Sequence, residues 1–146
     1  MKLLITLVFT MIVGYASAQV DYTHKTTGDL TVTIKNIDKF KGVIMIGLYN
    51  SDSTWLQMGK EYRSAKVEIT ATTVTYVFKD LPFGTYAISV FHDKNSDGEC
   101  NRNWVGIPTE GYCFSNNHKP LVGSPKFKDA EFKFSGEKKL FLNMIY

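Results

Sequence analysis

At 146 residues, of which 44% are hydrophobic and 14% aromatic, the chain has the size of one domain and enough apolar side chains for a proper core. Its 17 lysines and arginines nearly balance 14 aspartates and glutamates, for a net charge of +3. The signs are interleaved with no block of five like charges, which excludes a nucleic-acid footprint.

Residues 1–18 begin with Lys2, run apolar from Leu3 to Val13 and close on Ala16, Ser17 and Ala18, the small-x-small pattern of a secretory leader. The apolar run is shorter than the roughly 20 residues of a membrane span, so the leader is read as cleaved and the mature chain as having no membrane span. No cysteine follows the cleavage site, which argues against a bacterial lipid anchor. The expected location is periplasmic, cell-surface or extracellular. Residues 19–28 are polar and unpatterned and are read as a flexible lead-in, with one domain at 29–146.

Leu30, Val32 and Ile34 alternate with polar residues, the period-2 pattern of a strand with one buried face. From Val43 to Tyr49 both faces are apolar, which predicts a central strand buried on two sides. Ser51, Asp52, Ser53 and Thr54 supply cap oxygens for one helical turn that sets Trp55 on an end of the core; a ligand-binding Trp55 is the competing reading. Alternation at Ala65, Val67 and Ile69, and again at Val74, Tyr76 and Phe78, predicts a hairpin closed at Thr70 to Thr73. Pro82 and Gly84 mark a second turn. The next strand carries Tyr86, Ile88 and Val90 on one face and delivers His92 and Asp93 to a long loop. Further strands follow at Ala130 to Phe134 and at Leu140 to Met144. There is no internal repeat, no low-complexity segment and no 10-to-15-residue helical pattern among the strands. The fold class is therefore all-β, an antiparallel β-sandwich of about seven strands with one long metal-binding loop.

That loop, residues 91–117, holds both cysteines, Trp104 and a cluster of acidic and amide side chains. Long irregular connections in compact domains are usually functional or disordered, and the aromatic content argues against disorder. Asp93, Asn95, Asp97 and Gly98 reproduce the first half of a calcium loop, with the backbone of Glu99 and the side chain of Asn101 at the next ligand positions. The twelfth position is Trp104, so Glu110 is the nearest carboxylate to complete the set. Oxygen-only ligands favour calcium over a transition metal. The alternative is a turn whose Asp and Asn side chains cap local N–H groups.

Cys100 and Cys113 bracket the second half of the loop, and in an oxidising compartment a disulfide between them is expected. The competing arrangement joins them with His92 and His118 at a zinc ion, although the spacing is unlike paired zinc ligands. Trp104, Tyr112 and Phe114 form a candidate ligand surface. Three functions remain open: a calcium-stabilised module binding an unknown protein or glycan, a carbohydrate-binding module, or a hydrolase using Asp93, Asp97, Glu99 or Glu110. The acids are explained more simply by a cation and Ser115 sits in no nucleophile elbow, so the chain is read as a binding module rather than an enzyme.

The segment L-P-F-G-T-Y at 81–86, running into Val90, Phe91, His92 and Asp93, resembles transthyretin-like (prealbumin-like) and immunoglobulin-like extracellular modules. More specifically, V-F-H-D-x-N-x-D-G, N-W-x-G-I-P-x-E-G-Y, F-S-N-N and G-x-P-x-F-x-D-A together resemble the secreted bacterial family catalogued as domain of unknown function 2141. The resemblance covers residues 30–146 and implies a secreted β-sandwich without an established activity. The chain departs from the usual family pattern at Cys100, Asn101 and Cys113.

Overall fold

The computed structural model describes residues 25–121 and 123–146. The expected leader at 1–18 and most of the lead-in lie outside these residues. Strand β1 (Thr27–Lys35) begins within the last two residues of the segment expected to be lead-in. No helix among the described residues is long and apolar enough to cross a membrane.

The described residues form a β-sandwich of eight strands in two sheets. One sheet has the order β4 (Val74–Pro82), β1, β8 (Lys138–Asn143). The other has the order β3 (Arg63–Glu68), β2 (Val43–Tyr49), β5 (Gly84–Asp93), β6 (Tyr112–Phe114), and β7 (Phe132–Phe134) pairs with the start of β5. The predicted alternation survives in three dimensions. Leu30, Val32 and Ile34 of β1 meet Ile44, Ile46 and Leu48 of β2 and Ile88 and Val90 of β5 in one core cluster, all 0% or 1% exposed. A fully buried aliphatic side chain contributes about 1.5–3 kcal/mol, so this layer is the main source of stability.

Two connections differ from the expected ones. The segments at 65–69 and 74–78 do not form a hairpin: β3 pairs with β2 and β4 pairs with β1, so the turn between them carries the chain from one sheet to the other. The Ile37 N–H donates to the Thr72 carbonyl at 3.0 Å and pins that crossing. The final strand is also distinct, because β8 runs parallel to β1 from Leu30↔Lys138 to Lys35↔Asn143, inside an otherwise antiparallel sandwich. Beyond β8, Ile145 exchanges two 2.9 Å backbone bonds with Tyr112 of β6. The chain end thus stitches one side of the sandwich shut. On the opposite side, Arg63 donates from its guanidinium to the carbonyls of Lys79 and Asp80.

Asn117 closes the remaining edge of β8. Its Nδ2 donates to the Phe141 carbonyl at 2.9 Å and its Oδ1 accepts from the Asn143 N–H at 2.8 Å. The residue holds a left-handed backbone (φ 50°), which asparagine tolerates better than most.

A second, smaller cluster sits at the end of the five-stranded sheet. Ser51 caps a 3-10 turn at Asp52–Thr54, as expected, and Trp55 follows it. The Trp55 indole stacks edge-on against Tyr49 (5.2 Å) and Phe127 (5.8 Å), and its N–H donates to the Pro125 carbonyl at 2.8 Å. Trp55 is a packing residue. Helix α1 (Phe127–Ala130) is one turn long, and buried Ser115 ties it to the sheet by donating to the Ala130 carbonyl and accepting from the Ile88 N–H at 2.8 Å.

Candidate functional site

The five-stranded sheet has two apolar faces, and only the inner one is covered by the other sheet. On the outer face, register aligns Met45, Phe91 and Tyr112 in one row across β2, β5 and β6, and Gly47, Ser89 and Phe114 in the next. These two rows are the floor of a cleft of about 510 Å³, within the range of small-molecule sites. Gly47 deepens the floor, because a Cβ there would lie 2.9 Å from the Tyr49 ring and 3.1 Å from Glu61 Cγ. The walls come from Leu56, Met58, Val105, Ile107, Pro108 and Leu121. Several wall residues are exposed, among them Met58, Val105, Ile107 and Leu121, the last completely so. Contiguous exposed apolar area of this kind is uncommon on the surface of a monomer.

The loop from 94 to 111 forms the roof, and its shape follows from its carboxylates. Asp93, 1% exposed at the end of β5, accepts from the N–H groups of Asp97 (3.1 Å) and Gly98 (2.9 Å). Gly98 holds φ +83°, so the tight turn needs glycine there. Asp97 accepts from the Glu99 N–H at 2.9 Å and from the amides of Asn95 (2.7 Å) and Asn101 (3.1 Å). Those donors hold its carboxyl below the usual carboxylate range, the Glu99 N–H contributing most. Glu110, 6% exposed, closes the ring: Oε1 accepts from the Lys94 N–H at 2.8 Å and Oε2 from the Asn101 N–H at 3.1 Å. A buried carboxylate requires such partners, and bonds from N–H to a charged acceptor are the stronger kind. Beyond the ring, residues 101–109 form a small ribbon, with Arg102 opposite Pro108 and the Asn103 N–H donating to Ile107. The ribbon carries the cleft wall.

The loop's root is equally fixed. His92, 0% exposed, points Nε2 at the Lys41 carbonyl (2.7 Å) and Nδ1 at the Tyr146 hydroxyl (2.9 Å). A carbonyl only accepts, so Nε2 carries a proton, while Nδ1 faces the Tyr146 hydroxyl and lies 3.7 Å from Asp38 Oδ1. Burial pushes the Tyr146 hydroxyl up to about 12, which keeps it protonated.

The calcium residues expected from the sequence fall together, with qualifications. The side chains of Asn95, Asp97 and Asn101 converge within 3.2 Å of one another, and Asp93 lies at the root of the same turn. Asp and Asn oxygens are the donor type that suits a hard cation. Each carboxylate already holds backbone N–H groups, however, and no group of three or more His, Cys, Asp or Glu arranged to hold a metal occurs among the described residues. Glu99 is exposed and its side chain stands apart from the cluster, while Glu110 serves as the clip between Lys94 and Asn101.

The Cys100–Cys113 bridge is not formed, and both thiols are free. Pairing of Cys113 with Val90 turns its side chain into the core, where it lies 3.5 Å from the Met144 sulfur. Cys100 instead lines the cleft on the outer face. The sheet separates them. Burial raises both thiols above the usual cysteine range, which keeps them protonated. A zinc site uniting them with His92 fails for the same reason.

Of the aromatic trio, Tyr112 and Phe114 lie on the cleft floor, whereas Trp104 stands 96% exposed at the tip of the ribbon and does not line it. Met45, Phe91, Arg102, Ile107 and Leu121 were not singled out in the sequence. The one available signal was the doubly apolar β2, with no helix among the described residues to cover the second face.

The family model for an uncharacterized protein conserved in bacteria (DUF2141) matches residues 32–140, and the chain belongs to that family. No curated protein and no solved structure matches it.

Proposed function

We propose that this family member is an exported binding module that holds a small, largely apolar ligand in the cleft on the outer face of its five-stranded sheet. The observation that carries the reading is the cleft itself, about 510 Å³ with aromatic residues on its floor and aliphatic residues on its walls. The leader pattern at residues 1–18 supports export. A binding role rather than catalysis is favoured because the acidic side chains with hydrolytic potential, Asp93, Asp97 and Glu110, are engaged by backbone N–H groups that shape the roof. Aliphatic walls weigh against a sugar, which needs aromatic platforms flanked by polar groups.

Calcium belongs to the same proposal, as a brace for the roof rather than a participant in binding. Asp93, Asn95, Asp97 and Asn101 would hold it, with the Glu99 carbonyl, while Glu110 clips the ends of the ring. The convergence of the Asn95, Asp97 and Asn101 side chains supports this assignment.

The cleft is tested with the neutral fluorophore N-phenyl-1-naphthylamine. Saturable enhancement by the mature protein, weakened in Ile107→Asp and Leu121→Asp, is the expected result. Both residues are exposed, so the variants should fold. Enhancement that fails to saturate, or that both variants leave unchanged, overturns the reading.

A further inference from the structure

The cleft has polar groups of unequal standing, and the inequality selects a ligand class. Glu61, on the edge beside Tyr49, is already occupied: its Oε1 accepts from the Tyr49 hydroxyl and the Gly59 N–H, each at 3.2 Å. Burial, reinforced by Glu61, holds the Tyr49 hydroxyl protonated well above its usual range, so that bond persists. Arg102 on the ribbon wall is different. It lines the cleft, and no carboxylate among the described residues lies within ion-pair distance of it. Glu110, a buried acid of the same loop, has both oxygens committed to the N–H groups of Lys94 and Asn101. Ser89, in the middle of the floor, has no side-chain hydrogen bond to the described residues and adds one neutral donor.

An unpaired guanidinium over an apolar trough matches a molecule with one anionic head and a hydrocarbon body. Resting on the cleft reading above, we infer that the ligand is a monoanionic amphiphile of the long-chain carboxylate type. Its head pairs with Arg102 and its chain lies along Met45, Phe91 and Tyr112. Arginine suits this role because its planar fork meets a carboxylate with two parallel bonds and is less strongly hydrated than a lysine ammonium.

Displacement of N-phenyl-1-naphthylamine by dodecanoate and by dodecanol, both below their aggregation limits, tests the pairing. Arg102→Gln should raise the dodecanoate dissociation constant about tenfold and leave that of dodecanol unchanged. Arg102→Lys should restore part of the loss. If dodecanol binds and the substitution leaves dodecanoate unaffected, the head pairing is wrong and the cleft reading stands. Equal weakening of both ligands would make Arg102 a wall residue and also overturn the pairing. Failure of the fluorophore and of both amphiphiles to bind would remove the cleft reading and this inference together.

Discussion

Val90 and Phe91 are neighbours on one strand, yet they face different parts of the molecule. Val90 points inward and is fully buried between the sheets, whereas Phe91 points outward into the cleft. The same contrast runs along β2, where Ile44, Ile46 and Leu48 are core and Met45 and Gly47 are floor. Both faces are apolar because both exclude water, but the inner face is covered by the chain's own second sheet and the outer face only by a loop. The inner face therefore supplies stability, and the outer face leaves apolar area for something else to cover.

The largest expected effect separates the faces directly. Ile46→Ala removes a 1% exposed side chain from the core and should cost about 2–5 kcal/mol in urea unfolding. Met45→Ala, one residue away, should cost less than about 1 kcal/mol while weakening fluorophore binding. Equal costs would erase the distinction.

Next comes the clip between face and roof. Glu110→Gln replaces one acceptor oxygen with an N–H donor facing a backbone N–H, Lys94 or Asn101, and should destabilise the fold by about 2 kcal/mol. Urea unfolding with an unchanged midpoint would show that the loop holds its shape without it.

Calcium should act more weakly. Only two carboxylates would contribute to the ring, so affinity in the extracellular range of about 10⁻⁴–10⁻³ M is expected. Free calcium at about ten times the dissociation constant then adds on the order of 1.4 kcal/mol, or about 3–6 °C in Tm. Asp93→Ala and Asp97→Ala should abolish the increment and Glu99→Ala should keep most of it. Coincident melts in calcium and in chelator would leave a turn shaped by its own donors.

The last test involves no change in stability. Native alkylation at alkaline pH, where the raised Cys100 thiol still yields reactive thiolate, followed by mass analysis should modify Cys100 on the cleft side and spare Cys113 in the core, and a bound ligand should slow the reaction. Adducts at both sites, or at neither, would break the assignment of the thiols to opposite faces.

Much of this fold was legible because period-2 alternation reports burial directly. Leu30 to Ile34, Val43 to Tyr49 and Tyr86 to Val90 are strands where the pattern places them. Turn chemistry was legible where it is local, at the Ser51 cap and in the ring of Asp93, Asp97 and Gly98. What the sequence hid is non-local. Thr70 to Thr73 reads as a hairpin turn, but whether two adjacent strands pair or part depends on which sheet buries each, and Ile37 decides that from more than thirty positions away. The parallel match of β8 with β1 joins opposite ends of the domain, which no local pattern encodes. The cysteines misled for a related reason: closeness along a loop says nothing about which side of a sheet each side chain takes. The cleft was half legible, since a strand apolar on both faces demands two covers and, among the described residues, only one of them is a sheet.

Asn117 has a consequence for the company this protein keeps. Its side-chain amide presents an N–H and a C=O to β8 in the manner of one peptide unit, so at Phe141 and Asn143 the sheet meets what amounts to a single rung of a ninth strand. A foreign strand that tried to dock there would find the backbone groups it needs already taken. Crowding many copies together is thus less apt to zip them into fibrils along that border, and the apolar cleft can stay open on the other sheet without every edge becoming sticky.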